Sequence, residues 1–138
     1  SSVEGICHKR MVIASDLEAA RQVENTILDE VERYGYSDAS AFSIRLAIEE
    51  GLNNAIKHGN GYDPGKTVQV AFAVTPQQVV ISITDEGPGF DPARVPDPTC
   101  DENLEKPCGR GIMLMRAYMD EIHYNPCGNQ VRMVKKNS

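Results

Sequence analysis

No run of about 18 consecutive apolar residues, the length a membrane-crossing helix needs, occurs in this chain. Nor do residues 1–14 follow the basic, apolar, small order of a signal peptide, so the expected location is the cytoplasm, with no membrane partner. Cysteine is scattered: Cys7, Cys100, Cys108 and Cys127 form no Cys-x-x-Cys pair, and His123-x-x-x-Cys127 beside Cys108 only loosely imitates a zinc set. Reduced thiols and no zinc are expected. Basic residues are outnumbered, 14 Lys and Arg against 20 Asp and Glu, which argues against duplex DNA as the main partner. A phosphate ligand stays compatible with a formal charge of −6, because helix N-termini, backbone amides and a metal supply positive field locally. Internal repeats and low-complexity segments are also missing. Residue 1 is Ser rather than Met, so attached domains in a longer parent chain stay open.

What is present is an ordinary globular mixture, 41% apolar and 25% charged, and its 138 residues suit one domain, 1–138. Residues 8–14 read as a short opening strand. Ser15-Asp16-Leu17-Glu18 has capping-box spacing, and Leu17, Ala20, Val23, Ile27, Val31 and Tyr34 follow as one buried helical stripe ending near Gly35. A second helix is predicted from about residue 39 to Lys57, with Ala41, Ile44, Ile48, Leu52 and Ala55 inward and a stop at His58-Gly59-Asn60-Gly61. Alternation over 67–74 and from Val79 to Ile83, joined at Thr75-Pro76-Gln77-Gln78, makes a hairpin. Pro and Gly dominate from Gly87 to Gly109, as in a lid or binding loop, and a third helix begins near Gly111. Ile122 to Tyr124 and Val131 to Val134 close the chain as two strands. Hairpin-linked strands with helices in blocks indicate an α+β fold, a mixed but mainly antiparallel sheet covered by helices on one face.

Several polar residues fall where chemistry would use them. Counting by twos from Val79 puts Asp85 on the face of the buried apolar row, where a carboxylate must find a donor; Gly87 and Gly89 then leave room for a ligand. Capping of the following turn is the plainer explanation. Glu50 and Asn54, at i and i+4, share one helix face, and an amide oxygen suits Mg²⁺ while a carboxylate one turn earlier suits a general base. A solvated polar face with Glu49 and Asn53 would explain the same spacing. Lys57 and His58 stand at the helix end, where cations also simply oppose the dipole. Gly109-Arg110-Gly111 opens an apolar helix whose first N–H groups can face phosphates, with Arg110 and Lys106 as candidate phosphate contacts; an ordinary glycine hinge is the alternative.

Taken in order, these pieces resemble the GHKL ATPase superfamily, which includes gyrase, MutL and sensor histidine kinases. Leu46 to Gly59 resembles its N box, Asp85-Glu86-Gly87-Pro88-Gly89-Phe90 its first glycine box, and Gly109 to Met115 its second. The compact length, Glu-x-x-x-Asn-Ala-Ile-x-His-Gly, and Gly-Arg-Gly-x-x-Leu-Met before Met119-Asp120-Glu121 look most like the anti-sigma-factor serine-protein kinase branch, over about Met11 to Lys135. The resemblance implies the Bergerat fold, a two-layer α/β sandwich binding ATP and Mg²⁺. It assigns Asn54 to the metal, Glu50 to general-base catalysis, Asp85 to the adenine amino group, Gly87 and Gly89 to the adenine wall, and Gly109 and Gly111 to the triphosphate. The doubled Glu49-Glu50 and Asn53-Asn54 permit a register one residue earlier; Asn54 is preferred because it directly precedes Ala55-Ile56-Lys57-His58-Gly59. The implied function is a serine/threonine protein kinase that phosphorylates a small STAS-type antagonist and sequesters a sigma factor, with a homodimer as a compatible assembly. Two other readings are a nucleotide-gated module that sequesters a partner without phosphorylating it, and an ATPase domain cut from a sensor histidine kinase.

Overall fold

The computed structural model describes residues 2–3, 6–87 and 116–137. In chain order these form β1 (Ser2–Val3), β2 (Ile6–Ala14), α1 (Leu17–Arg33), α2 (Asp38–Asn53), β3 (Thr67–Val74), β4 (Gln78–Thr84), β5 (Glu121–Tyr124) and β6 (Gln130–Lys136). The strands pair side by side in the order β1-β2-β3-β4-β6-β5. Every pairing among the described residues is antiparallel, so the expected α+β class holds with a sheet that is not mixed.

Alternation decides which face the helices cover. On β3 the side chains of Val68, Val70, Phe72 and Val74 are buried, and on β4 those of Val79, Ile81 and Ile83, while their neighbours along each strand are more open. Register turns these into rows: Phe72 lies opposite Ile81, Ile81 opposite Met133, and Met133 opposite Ile122. Over the rows close Val23, Ile27 and Val31 of α1 and Ile44, Ile48 and Leu52 of α2, joined with them in one apolar core. Each such side chain removed from water contributes about 1.5–3 kcal/mol.

At the helix ends the local sequence rules hold in some places and yield to tertiary contacts in others. Asp16 caps α1, its carboxylate accepting from the Ala19 N–H at 2.8 Å, so the expected Ser15 capping box does not form. Ser15 is instead buried, and its hydroxyl donates to the Lys66 carbonyl at 2.7 Å. Moving the cap one residue on also leaves Leu17 47% exposed, outside the stripe assigned to it. At the other end the Tyr36 N–H reaches the Val31 carbonyl and the Gly35 N–H the Glu32 carbonyl, with Gly35 at φ +80, the Schellman termination that glycine favours. Tyr36 then turns inward and donates its hydroxyl to the Thr75 carbonyl at 2.6 Å, tying the helical turn to the β3–β4 hairpin. Its burial pushes the hydroxyl pKa up to about 12. Ser37 caps α2 by accepting from the Ser40 N–H. Of the third helix only residues 116–118 are described, as a helical turn in which Tyr118 meets Phe42 edge to face.

Candidate functional site

The regular helix stops at Asn53, earlier than the sequence pattern predicts, and Asn54–Gly59 wind on as a wider π turn. Its signature is the Asn60 N–H bonded to the Ala55 carbonyl five residues back, at 2.8 Å. Such single π turns recur at functional sites because one extra residue per turn redirects the backbone that follows. Here the Asn54 N–H still bonds the Glu50 carbonyl, so Glu50 and Asn54 keep their one-turn spacing, both half-buried. Lys57 and His58 are exposed on the widened turn. Partial burial, and then the neighbouring Lys57 charge, hold the His58 pKa below its ordinary value.

The widened turn ends on Gly59, and Gly59 packs against Asp85. A Cβ at Gly59 would displace the Asp85 carboxyl group, and one at Gly87 would collide with the Gly59 backbone, which leaves glycine as the residue that fits at 87 and the one that lets the carboxylate sit where it does at 59. The Asp85 N–H donates to the Asn129 carbonyl at 2.9 Å, which fixes the residue just beyond β4. Its carboxylate accepts from the Gly87 N–H at 2.7 Å. Half-burial raises the Asp85 pKa, with the Gly87 N–H and Lys66 opposing the rise. A carboxylate that accepts one N–H holds further acceptor capacity for a ligand donor.

Glu49 and Asn53 point elsewhere. With Leu17, Ala20, Arg21, Glu24 and Leu52 they line a cavity of about 190 Å³ between α1 and α2. Glu49 lies beside Glu24, whose pKa burial and then the Glu49 charge push up to about 7, against the opposing influence of Arg45 and Arg21. The two registers that the doubled residues permit thus face different surroundings, one against α1 and one continuous with Gly59.

Gly89, Arg110, Gly109 and Gly111, like Lys106, lie outside the described residues. One contributor that the sequence did not announce is Asn60, buried at 3% exposure under the turn. Its carboxamide donates to the Ser15 hydroxyl and the Thr67 carbonyl and accepts from the Glu86 N–H. In a Gly-Asn-Gly stretch, Asn reads as an ordinary turn residue; no periodicity marks it as interior.

A model of the histidine kinase-like ATPase domain matches residues 13–135. The chain belongs to that family. Among curated relatives, the serine-protein kinase RsbW of Oceanobacillus iheyensis is 26% identical over 72% of this chain and 67% of its own. RsbW of Bacillus subtilis is 29% identical over 80% of this chain and 73% of its own. The anti-sigma F factor of Geobacillus stearothermophilus is 33% identical over 57% of this chain and 56% of its own. These names support the anti-sigma kinase branch within the family. The crystal structure of the RsbU and RsbW domains of Rv1364c from Mycobacterium tuberculosis shares the fold, with a TM-score of 0.60 at 17% identity over 95% of this chain and 32% of that one. The resemblance read from the three boxes is borne out at the level of family and fold.

Proposed function

We propose that this domain is an ATP-dependent serine/threonine protein kinase of the anti-sigma-factor type, which phosphorylates a STAS-type antagonist protein and sequesters a sigma factor. The observation that carries the reading is the seating of the Asp85 carboxylate on Gly59, at the end of the helical segment that bears Glu50 and Asn54. One edge of a purine would meet Asp85, and the phosphates would run toward Asn54.

The residues fit Mg²⁺ and ATP by their chemistry. Asp85 would accept a hydrogen bond from the adenine amino group, and the glycines at 59 and 87 let the two backbone segments close on each other so that the carboxylate is held in place. Asn54 offers a neutral amide oxygen to the metal. When bound, Mg²⁺ neutralises phosphate charge and holds the chain of phosphates in one geometry. Lys57, His58, Arg110 and the backbone of Gly109 and Gly111 are the proposed phosphate contacts, with Gly89 completing the adenine wall. Glu50 is the proposed base: it takes the proton of the acceptor serine or threonine as that oxygen bonds the γ-phosphorus, while the bond to the bridging oxygen breaks and ADP leaves. Glu50 is favoured over Glu49 because Glu49 is engaged with Glu24 across the α1–α2 groove.

A cytoplasmic location and a homodimer complete the proposal; among the described residues no helix is long and apolar enough to cross a membrane. The test is transfer of labelled γ-phosphate from ATP to candidate antagonists. Glu50→Ala is expected to slow transfer by about 10²–10⁴-fold while ATP binding survives. Undiminished transfer would remove Glu50 from the mechanism. If wild-type protein binds ATP and leaves all label in nucleotide, the nucleotide-gated binding module replaces the kinase.

A further inference from the structure

We infer that Asn60 is a positioning residue for adenine recognition, acting through the Asp85-Glu86 peptide; the inference rests on the reading of Asp85 given above. Asn60 touches no proposed ligand atom. Its side chain joins three segments that are far apart in sequence. Nδ2 donates to Ser15 Oγ and to the Thr67 carbonyl, both at 2.9 Å, and Oδ1 accepts from the Glu86 N–H at 2.8 Å. Its own N–H closes the π turn on Ala55, and its carbonyl accepts from the Asp63 N–H at 3.0 Å. The carboxamide is therefore oriented without ambiguity, because an amide flipped end for end would set Oδ1 against the Thr67 carbonyl and Nδ2 against the Glu86 N–H.

The geometry gives this clamp a specific consequence. Asp85 is held from one side by Asn129, which accepts from its N–H, and Glu86 is held from the other by Asn60. The Glu86 carboxylate is in turn occupied by the N–H and hydroxyl of Thr67, the residue whose carbonyl Asn60 engages. Between these two anchors the Asp85 side chain faces Gly59, one residue before Asn60. The same carboxamide thus fixes the floor, Gly59, and the backbone that carries the reader, Asp85. A burial role alone would require only that the hole be filled; positioning requires that Oδ1 reach the Glu86 N–H.

The experiment compares equilibrium binding of ATP with that of inosine triphosphate, which carries a carbonyl where adenine has its amino group, alongside thermal melts. In the wild-type protein ATP is expected to bind more tightly by at least about ten-fold, the worth of one hydrogen bond to a charged group. Asn60→Ala is expected to lower that ratio by about ten-fold, with a smaller change in affinity for inosine triphosphate. Asn60→Asp keeps an oxygen aimed at the Glu86 N–H and is expected to retain the ratio within about three-fold, even though it loses both donors and melts earlier. Ser15→Ala removes one acceptor of Nδ2 and the donor to the Lys66 carbonyl but leaves Oδ1 on the Glu86 N–H, and should likewise keep the ratio. Should Asn60→Ala fail to fold, Asn60→Ser takes its place, since its shorter side chain cannot span to Glu86. An unchanged ratio in the folded Ala or Ser variant overturns the inference, as does equal loss in Asn60→Asp. Wild-type protein that binds ATP and inosine triphosphate alike overturns the assignment of Asp85 and the inference with it, whereas discrimination in wild type that survives in every variant overturns the inference alone.

Discussion

Gly59 shows how one missing side chain can shape a site. Its Cα face is in contact with the Asp85 carboxyl group, so any β-carbon must push that group away. Gly59→Ala is therefore expected to weaken ATP binding by about ten-fold or more through loss of the adenine contact, and to cost about 1–3 kcal/mol of stability through overpacking. Calorimetric titration and urea unfolding measure the two effects separately. Glu24 and Glu49 provide a second residue-scale case. The Glu24 pKa stands at about 7, above the 4.5 of the free side chain, so between those values the folded protein binds more protons than the unfolded chain. Stability linked to this pair accordingly falls as pH rises from about 4.5 to about 7 and stays low above it. Glu49→Gln removes the neighbouring charge and should raise the melting temperature above pH 7 while flattening this part of the profile. The lowered His58 pKa works in the opposite sense, since the unfolded chain there binds the extra proton, so the comparison is made at fixed His58. A melting temperature that ignores the substitution at high pH would refute repulsion between the two carboxylates as the cause.

Among the elements, α1 tests how capping operates. The spacing Ser15-x-x-Glu18 satisfies the capping-box rule, yet Asp16 makes the cap and Ser15 serves the loop before β3. Local rules score each candidate cap by itself. They cannot register that a hydroxyl is already committed to the Lys66 carbonyl and the Asn60 amide. Asp16→Ala should cost about 0.5–2 kcal/mol in chemical denaturation, and Glu18→Ala only a few tenths. The reverse order would restore the box. The π turn after α2 carries the same lesson. Apolar spacing correctly puts Ile44, Ile48, Leu52 and Ala55 inside, but the change of pitch after Asn53 is set by what Gly59 and Asn60 must meet on β3 and beyond β4.

For the molecule as a whole, the core and the site share one foundation. Phe72 is 1% exposed at the β3 end of the apolar row that runs on through Ile81 and Met133, and the β3–β4 hairpin that it anchors also carries Asp85 at its far end. Phe72→Ala should destabilise by about 3–5 kcal/mol, a large part of the 5–15 kcal/mol typical of a whole domain. Saturating ATP with Mg²⁺ should recover part of that loss, because a ligand bound only by the folded state shifts unfolding by mass action. Melts with and without nucleotide check both statements, and absence of any nucleotide-dependent shift would count against the pocket.

The linear order by itself determined the first two helices and the strands β2 to β6, since period-two and period-3.6 apolar patterns report directly on which face is removed from water, whereas the two-residue β1 is too short to carry such a pattern. It also supplied the three motif boxes that carry the family resemblance, because each is a short local constellation. Tertiary structure alone decided that Glu49 and Asn53 turn toward α1, that Gly59 receives Asp85, and that Asn60 is interior. Those outcomes depend on contacts between positions up to 45 residues apart, as from Ser15 to Asn60, and no local pattern encodes a partner that distant.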